Sequence, residues 1–349
     1  MLFIPRPRMD HKVFMFDVGH GDCVLLADDK DQGLLVDCGA LKPQKHVRVP
    51  RFIEYSLLAN NTCGFVVSHY HWDHYSLFRW FKHPDALFSK LYLSNLPIRG
   101  PGREATLAIM DYLKVAMFSD FLHYRILPEM YDLFIKTGRP IVFCKKGVII
   151  HEASLHLKVF WPDLYHPSLR SKKVKEKASA VREKIEPIMD RYNIPKPSRY
   201  GTDYSMERFF RDLEIEELRY RELPEQIREE VHETLKQVER EFSDLANIFS
   251  IAFRTYYKRR SRFLFLGDLT DDLLNQITVP GNKIYECFKT AHHGTTFGKA
   301  LKKMSTEFLL VSRSQKEFPN IKKINDGYTS KMRYRMLLST EFLGDCYIS

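Results

Sequence analysis

The feature that most constrains this chain is a dense run of metal-capable side chains directly after an apolar segment. The stretch FVVSHYHWDHYS places His69, His71, Asp73 and His74 within six positions. The apolar residues before them predict a short strand buried on both faces. Residues i and i+2 of a strand point the same way, so His69 and His71 can reach one ion. A turn after them would direct Asp73 and His74 to a second ion.

Two more predicted strands end in ligand-type residues. Asp268 ends the apolar run FLFLGD, and His292 and His293 end FKTAHHGT. Imidazole and carboxylate ligands suit zinc, manganese or iron. Together with the first motif, these residues complete a ligand set for two divalent ions, Zn²⁺ or Mn²⁺. Ions roughly 3.5–4 Å apart can hold a bridging hydroxide and clamp both oxygens of a displacement.

Composition sets the class of protein and its expected surroundings. The chain has 349 residues, of which 44% are hydrophobic, and its net charge is +10. It contains no apolar run near the roughly 20 residues that span a bilayer, and no signal-peptide pattern. The six cysteines form no C-x-x-C pair, which favours reduced thiols and a cytoplasmic location. The positive charge favours a polyanionic partner such as nucleic acid.

Strand patterns occupy both ends of the chain, and a charged helical pattern lies between them. The predicted strands include KVFMFDVG, DCVLLAD, GLLVDCG, CGFVVSH, KLYLSNL, a pair within GVIIHEASLHLKVFWP, IFSIAFRTYY, RFLFLGDL and IYECFKTAHHGT. A helix is predicted from Arg103 to Leu122. Residues 1–166 and 245–349 are interpreted as two halves of one domain, with residues 167–244 as a helical insertion. Apolar stripes every three or four residues predict helices within the insertion.

The insertion allows two interpretations. Its helices pack on one another with solvated charged faces, or they form a docking arm for a partner protein or nucleic acid. The first interpretation is favoured, and the second assigns partner contacts to residues 168–244.

The motifs resemble those of metallo-β-lactamase fold hydrolases, and more narrowly those of DNA-internalisation competence proteins (the ComEC type). The resemblance rests on FDVGHGDCVLL, GLLVDCG, SHYHWDH, FLFLGD and AHHGT, in that order. It covers roughly residues 1–165 and 245–310. The resemblance implies an α+β fold, a four-layer αβ/βα sandwich that holds two metals at one sheet edge.

The resemblance also implies roles for individual residues. His69 and His71 would serve one metal, Asp73 and His74 the other, Asp268 would bridge, and His292 or His293 would be the last ligand. His292 is preferred because it comes first after the strand. Asp37 would orient a metal ligand by hydrogen bonding, or is a turn carboxylate. His20 either approaches the site or belongs to a loop.

The sequence departs from the resemblance at two places. Many members of the superfamily use a further histidine before the bridging aspartate, and here the nearest candidates, His151 and His156, lie in no recognisable motif. The segment LLVSRSQKEFPNIKKINDGYTS lacks the His-Pro pair that the branch usually carries. Substrate contacts of that loop are therefore not transferred to this chain.

The leading functional hypothesis is a metal-dependent hydrolase of phosphodiester bonds, a nuclease acting on DNA or RNA through a metal-bound hydroxide. Asp73 and His74 are the candidate catalytic residues, since either could carry the proton. One alternative is hydrolysis of a small phosphodiester such as a cyclic nucleotide. Another is a subunit of a multiprotein bacterial defence or DNA-processing system, docked through the insertion. Basic stretches at Lys42–Arg51, Arg170–Lys177, Lys258–Arg262 and Lys331–Arg335 could follow a nucleic-acid backbone, or be ordinary solvated surface.

Overall fold

The structure is a computed structural model that describes most of the chain. The described residues are 2–4, 11–28, 30, 32–58, 61–117, 124–152, 154–197, 205–220, 224–255, 261–279, 284–302, 304–312, 328, 332–340 and 344–348. The chain divides into two compact units. The strand-rich unit comprises Met1–Ser94, Phe134–Pro162 and Ser250–Ser349. The helical unit comprises Asn95–Leu133 and Asp163–Phe249.

The first sheet of the strand-rich unit has eight strands. They are β1 (Leu2–Ile4), β2 (His11–Met15), β3 (Cys23–Asp28), β4 (Gly33–Cys38), β5 (Cys63–Val67), β6 (Phe88–Ser94), β7 (Ile141–Cys144) and β15 (Cys346–Ile348). Their order is β1-β15-β2-β3-β4-β5-β6-β7. The neighbours β2, β3 and β4 pair antiparallel, whereas β4, β5, β6 and β7 run parallel. The parallel strands β4 and β5 therefore end at the same edge.

The second sheet has seven strands. They are β8 (Ile149–Glu152), β9 (Leu155–Trp161), β10 (Ala252–Thr255), β11 (Ser261–Phe265), β12 (Ile284–Lys289), β13 (Met304–Val311) and β14 (Met332–Ser339). Their order is β14-β13-β12-β11-β10-β9-β8. The strands β11 to β14 pair parallel. Side chains of both sheets, such as Val66 from β5 and Phe263 from β11, share one buried apolar cluster, and each contributes about 1.5–3 kcal/mol by its burial.

Eight α-helices fall within the described residues. They are α1 (Arg48–Phe52), α2 (Pro84–Leu87), α3 (Arg103–Ala116), α4 (Ile126–Lys136), α5 (Lys172–Arg191), α6 (Met206–Tyr220), α7 (Glu225–Ile248) and α8 (Asp271–Leu274). In the helical unit, Ser171 caps the N-terminus of α5, and its hydroxyl accepts a hydrogen bond from the backbone N–H of Val174. Such a cap satisfies one of the N–H groups that the first turn leaves unpaired. In the part of the chain that the structure describes, no helix has both the length and the apolar character that crossing a membrane requires.

The helices of the helical unit pack through aromatic and aliphatic stripes. The ring of Tyr112 in α3 stacks on Phe242 in α7, with centroids 3.8 Å apart. Val181 and Ile185, on the predicted stripe of α5, are fully buried. The contacts between α3 and α7 explain why residues 95–133 belong to this unit, although the sequence interpretation placed them in the first half of the strand-rich domain.

The fold class predicted from the sequence is confirmed, because the chain forms a mixed α/β structure with two sheets and flanking helices. It is consistent with a metallo-β-lactamase-like sandwich. The hairpin predicted around KRRS pairs β10 with β11 antiparallel. Its basic tip, residues 256–260, lies outside the described residues, as does the end of the predicted helix beyond residue 117.

Candidate metal centre

The ends of parallel strands bring the ligand-type residues together within the strand-rich unit. In the first sheet Val36 of β4 lies opposite Val66 of β5, so Asp37, the next residue of β4, lies beside the start of the segment that follows β5. In the second sheet Phe265, the last residue of β11, lies opposite Lys289, the last residue of β12. The segment that contains Asp268 therefore starts beside the end of β12. The carboxyl ends of parallel strands are a common place for functional sites, because loops from separate parts of the chain meet there.

The loop after β5 is fastened to the end of β4. The hydroxyl of Ser76 accepts a hydrogen bond from the N–H of Ala40 and donates one to its carbonyl, both at 2.8 Å. A Cβ added at Gly39 would lie 2.2 Å from the carbonyl oxygen of Asp73. Only glycine permits so close a backbone approach, which explains the glycine in VDCG and fixes the turn Trp72–His74 against β4.

The imidazole of His74 is held from one side and faces the centre with the other. Its Nδ1 atom lies 2.9 Å from Oδ2 of Asp37, whose Oδ1 accepts the backbone N–H of Ser68 at 2.7 Å. Its Nε2 atom lies 3.5 Å from Oδ2 of Asp268 and 3.7 Å from Oδ1 of Asp73. A carboxylate on one ring nitrogen fixes the tautomer and leaves the other nitrogen for a metal.

His293 enters the same cluster from the second sheet. Its Nε2 atom lies 3.6 Å from Oδ2 of Asp73 and 3.7 Å from Oδ2 of Asp268. Ligand atoms of Asp22, His74, Asp268 and His293 all lie within 4.8 Å of one another, and the same holds for His20, Asp73 and His293. Among the described residues, these are the sets compatible with a metal ion.

Left-handed backbone conformations aim the side chains at this cluster. The described non-glycine residues with positive φ are Asp37, Asn193, His292 and His293, at 56°, 53°, 46° and 50°. Three of these four belong to the site. Such conformations cost of order 1–3 kcal/mol each and cluster at functional sites. The two successive left-handed residues turn the chain after β12 so that His293 is buried in the cluster while His292 is half-buried at its side.

The remaining sequence candidates lie around the cluster. His69 is fully buried, and its ring centroid is 4.1 Å from that of His74. His71 is half-buried, and its Nδ1 atom contacts Oδ1 of Asp73. His20 is also half-buried, with Nε2 3.8 Å from Oδ2 of Asp73. The structure therefore gathers every histidine of the first motif, although His69, His71 and His292 are in neither of the two closest sets.

His151 and His156 form a pair of their own. They face each other across β8 and β9, with their Nδ1 atoms 2.5 Å apart. The pair is exposed, and neither histidine belongs to the two closest sets.

The residues of the cluster fit a divalent cation. Buried atoms without a hydrogen-bond partner include Nε2 of His69, Nε2 of His74 and Oδ1 of Asp268. Burying an unpaired polar atom costs about 1–3 kcal/mol. The Nδ1 atom of His69 contacts the hydroxyl of Ser68 at 3.1 Å, so Nε2 is the ring nitrogen without a partner. Two imidazole nitrogens and one carboxylate oxygen without hydrogen-bond partners in the same cluster are groups that a bound cation would satisfy.

The electrostatics of the cluster favour added positive charge. Burial alone would lower the pKa of His74, but the carboxylates of Asp268, Asp37 and Asp73 raise it well above the ordinary value. Burial would raise the pKa of Asp268, yet His74 and His293 hold it well below its usual range. The carboxylates are thus kept charged by protons on neighbouring imidazoles. A divalent cation would replace those protons, since metal ligands must be deprotonated.

His293 and His69 respond differently to their surroundings. Burial would lower the pKa of His293, but Asp268 and Asp22 raise it to about 10. The pKa of His69 lies well below its ordinary value, chiefly through burial and then through His74. Burial therefore favours the neutral form of His69, which is the form that binds a metal.

Two residues of the cluster were not assigned a role from the sequence. Asp22 and Lys289 form an ion pair beside His293, with Nζ 2.8 Å from Oδ1 of Asp22. The available signals were the aspartate within VGHGDC and a lysine at the end of the apolar strand ECFK. A charged residue at such a position requires a partner, but the sequence does not say which one.

Comparison with known proteins gives structural likeness without a match in sequence. No protein-family model matches the chain, and no curated protein matches it in sequence. Among the solved structures that match is the CmlA beta-hydroxylase E377D mutant, at 10% sequence identity and a TM-score of 0.37. The match covers 98% of this chain and 54% of that chain, so this chain spans about half of its length. A likeness at this level carries no argument about activity.

Proposed function

We propose that this protein is a metal-dependent phosphodiesterase, and specifically a nuclease acting on DNA or RNA. The observation that carries the proposal is the convergence of His74, His293, Asp73 and Asp268, with imidazole Nε2 atoms facing two buried carboxylates. Buried histidine nitrogens and carboxylate oxygens are the ligands of zinc and manganese hydrolases.

The proposed ligand set keeps most of the assignment made from the sequence. His69 and His71 would serve one ion, Asp73 and His74 would serve the second, and Asp268 would serve both. His293 completes the set in place of His292, because the Nε2 atom of His293 lies 3.7 Å from Oδ2 of Asp268. When bound, two divalent ions would supply Lewis acidity to a phosphate and lower the pKa of a water molecule. Asp37 keeps His74 oriented through the 2.9 Å contact with Nδ1.

A basic surface beside the centre supports a polyanionic substrate. Residues 41–52 contain four cationic side chains, those of Lys42, Lys45, Arg48 and Arg51, and no acidic residue. All four are exposed. The segment is tied to the loop that carries His20, because the N–H of Leu41 donates to the carbonyl of His20 at 2.8 Å. We name residues 41–51 the basic loop. Cations held next to a metal centre favour a phosphate backbone over a neutral ester.

Cleavage of labelled linear and circular DNA and RNA with added Mn²⁺ or Zn²⁺ tests the proposal. We expect metal-dependent cleavage by the wild type and its loss in Asp73→Ala. The control is Asp85→Ala, which removes an exposed carboxylate from α2 in the same unit. Circular substrates distinguish endonuclease from exonuclease action. Metal content is measured for all three proteins, so that inactivity is not confused with an empty site.

A protein that holds two metals and cleaves neither DNA nor RNA would contradict the nuclease proposal. In that case cyclic nucleotides and other small phosphodiesters become the substrates to test. Hydrolysis of those substrates by the wild type, lost in Asp73→Ala, would retain the metal centre and change only the substrate class.

The basic loop is tested by the salt dependence of binding. In Lys42→Gln/Lys45→Gln we expect weaker binding and a smaller slope of log K against log salt, by about 0.9 per lost phosphate contact on duplex DNA. The control Lys184→Gln/Lys236→Gln removes the same charge from exposed positions in the helical unit, outside the candidate basic stretches. Equal slopes in the two variants would mean that net charge alone, and not this loop, attracts the substrate.

Docking of a protein partner through residues 168–244, and action within a multiprotein defence or DNA-processing system, remain predictions. Deleting the whole segment is a poor test, because Phe242 of α7 stacks on Tyr112 of α3. The deletion would expose that buried face and destabilise the helical unit. Charge-reversal variants on exposed positions such as Lys172 and Arg191, tested by co-purification, avoid this defect.

A further inference from the structure

A buried ion pair connects the two sheets beside the metal centre. Lys289 is the last residue of β12, and Asp22 immediately precedes β3. The Nζ atom of Lys289 lies 2.8 Å from Oδ1 and 2.9 Å from Oδ2 of Asp22. Each side chain is only 5% exposed. The two residues are 267 positions apart in the sequence.

Stability alone is a weak explanation for this pair. The cost of removing two charges from water often equals or exceeds their mutual attraction, so that well-packed apolar residues serve as well or better. The position of the pair offers a second explanation. The hydroxyl of Ser312 donates to Oδ1 of Asp22 and lies 3.4 Å from Nδ1 of His293. Oδ1 of Asp22 itself lies 3.7 Å from the same nitrogen.

The Asp22 group therefore occupies the Nδ1 side of His293 while Nε2 faces Asp73 and Asp268. His74 has the same arrangement, with Asp37 on Nδ1 and Nε2 toward the centre. Two histidines from different sheets are thus each backed by a carboxylate. The difference is that Asp37 accepts a backbone N–H, whereas Asp22 is paired with a lysine.

We propose that Asp22, held in place by Lys289, is a positioning residue that fixes the ring orientation and tautomer of His293 as a metal ligand. A ligand-type oxygen of Asp22 lies in one of the two closest sets, but both of its oxygens already accept hydrogen bonds from Lys289 and Ser312, so we assign Asp22 to positioning and not to ligation. The inference rests on the metal centre within the proposed function, but not on the substrate. Its test reads metal binding, so failure of the nuclease proposal would leave it standing.

Two double variants isolate the role of Asp22. Asp22→Leu/Lys289→Met replaces the ion pair by apolar residues and removes the acceptor beside His293. Asp22→Asn/Lys289→Met is equally neutral but keeps an oxygen at that place. Zinc affinity is measured by competition with a chelator, and zinc stoichiometry by elemental analysis. Urea unfolding confirms that both variants fold.

We expect the leucine variant to fold, to keep the wild-type stoichiometry at saturating zinc, and to bind zinc about 10–100-fold more weakly. The asparagine variant should recover most of that loss. Wild-type zinc affinity in both variants would show that the pair is only structural. Loss of one zinc equivalent in both variants, at saturating zinc, would show that Asp22 is a ligand. Either result overturns the proposal.

A measurement on the wild type does not depend on the folding of any variant. In ¹⁵N spectra of the zinc-loaded protein, we expect His293 to bind zinc through Nε2 and to carry a proton on Nδ1. Zinc bound through Nδ1, or His293 without zinc, would overturn the inference.

Discussion

The two units bury aspartates with opposite results. Asp111 in α3 and Asp268 after β11 are both buried. Burial raises the pKa of Asp111 to about 7, and Arg182 compensates only in part. Burial acts on Asp268 in the same direction, but His74 and His293 hold its pKa well below the ordinary value. The helical unit therefore contains a buried carboxyl whose pKa is about 7, whereas the strand-rich unit keeps a buried carboxyl charged.

The difference teaches how a binding site is distinguished from buried structural charge. In the helical unit the buried Lys114 donates to the carbonyl of Pro195 at 3.1 Å and to Asp212 at 3.4 Å. In the strand-rich unit the Nε2 atoms of His69 and His74 have no hydrogen-bond partner. Buried atoms without a hydrogen-bond partner also occur in the helical unit, such as both carboxylate oxygens of Asp111. Among the described residues, what distinguishes the site is therefore the convergence of several histidine and aspartate side chains that a cation could bind.

The largest expected effect lies in the helical unit. Phe242 is fully buried and stacks on Tyr112, so Phe242→Ala should lower the free energy of unfolding by about 3–5 kcal/mol. Urea unfolding measures the loss, and Phe242→Leu, which keeps more of the volume, should lose less. Zinc affinity of the folded variant should be unchanged. A loss of zinc binding in the folded protein would break the comparison, because the helical unit would then be needed for the centre.

The second prediction removes the charge that supports His74. Asp37→Asn keeps the size of the side chain, and we expect zinc affinity to fall about 10–100-fold, as when other outer partners of metal ligands are lost. The matched control is Asp28→Asn, which changes a buried aspartate that accepts the backbone N–H groups of Lys30 and Gln32. Chelator competition measures both variants. Equal zinc affinities would show that Asp37 does not act through His74.

The third prediction concerns the pH dependence of stability. The pKa of Asp111 is about 7 in the folded protein and about 3.9 in an unfolded chain, so the folded state binds its proton more tightly. The contribution of this group is complete below roughly pH 4 and is lost as the pH rises to about 7, by up to about 1.4 kcal/mol per pH unit. Asp111→Asn should remove this decline.

Urea midpoints at pH 5 and pH 8 check the decline for wild type and Asp111→Asn. The control Asp244→Asn changes a more exposed aspartate of the same unit and should keep the wild-type decline. Parallel pH profiles for wild type and Asp111→Asn would mean that Asp111 ionises normally, and the contrast with Asp268 would disappear.

The strands and the ligand types were predictable from local sequence. Alternating or continuous apolar runs predicted β3, β4, β5 and β12, because short runs bounded by turn residues are typical of strands. Polar residues directly after those runs predicted a site at the strand ends. The boundary of the helical unit was less predictable, because the packing of Tyr112 on Phe242 joins segments 130 residues apart.

The sequence by itself determined which residues can bind a metal and that they follow buried strands, because strand periodicity and ligand chemistry are local properties. Only the tertiary structure decided which of His292 and His293 enters the cluster, since left-handed backbone at both positions redirects the chain. It alone decided that Lys289 meets Asp22, because the two are 267 residues apart and lie in different sheets. Contacts of that kind depend on how the sheets pack, which no local pattern contains.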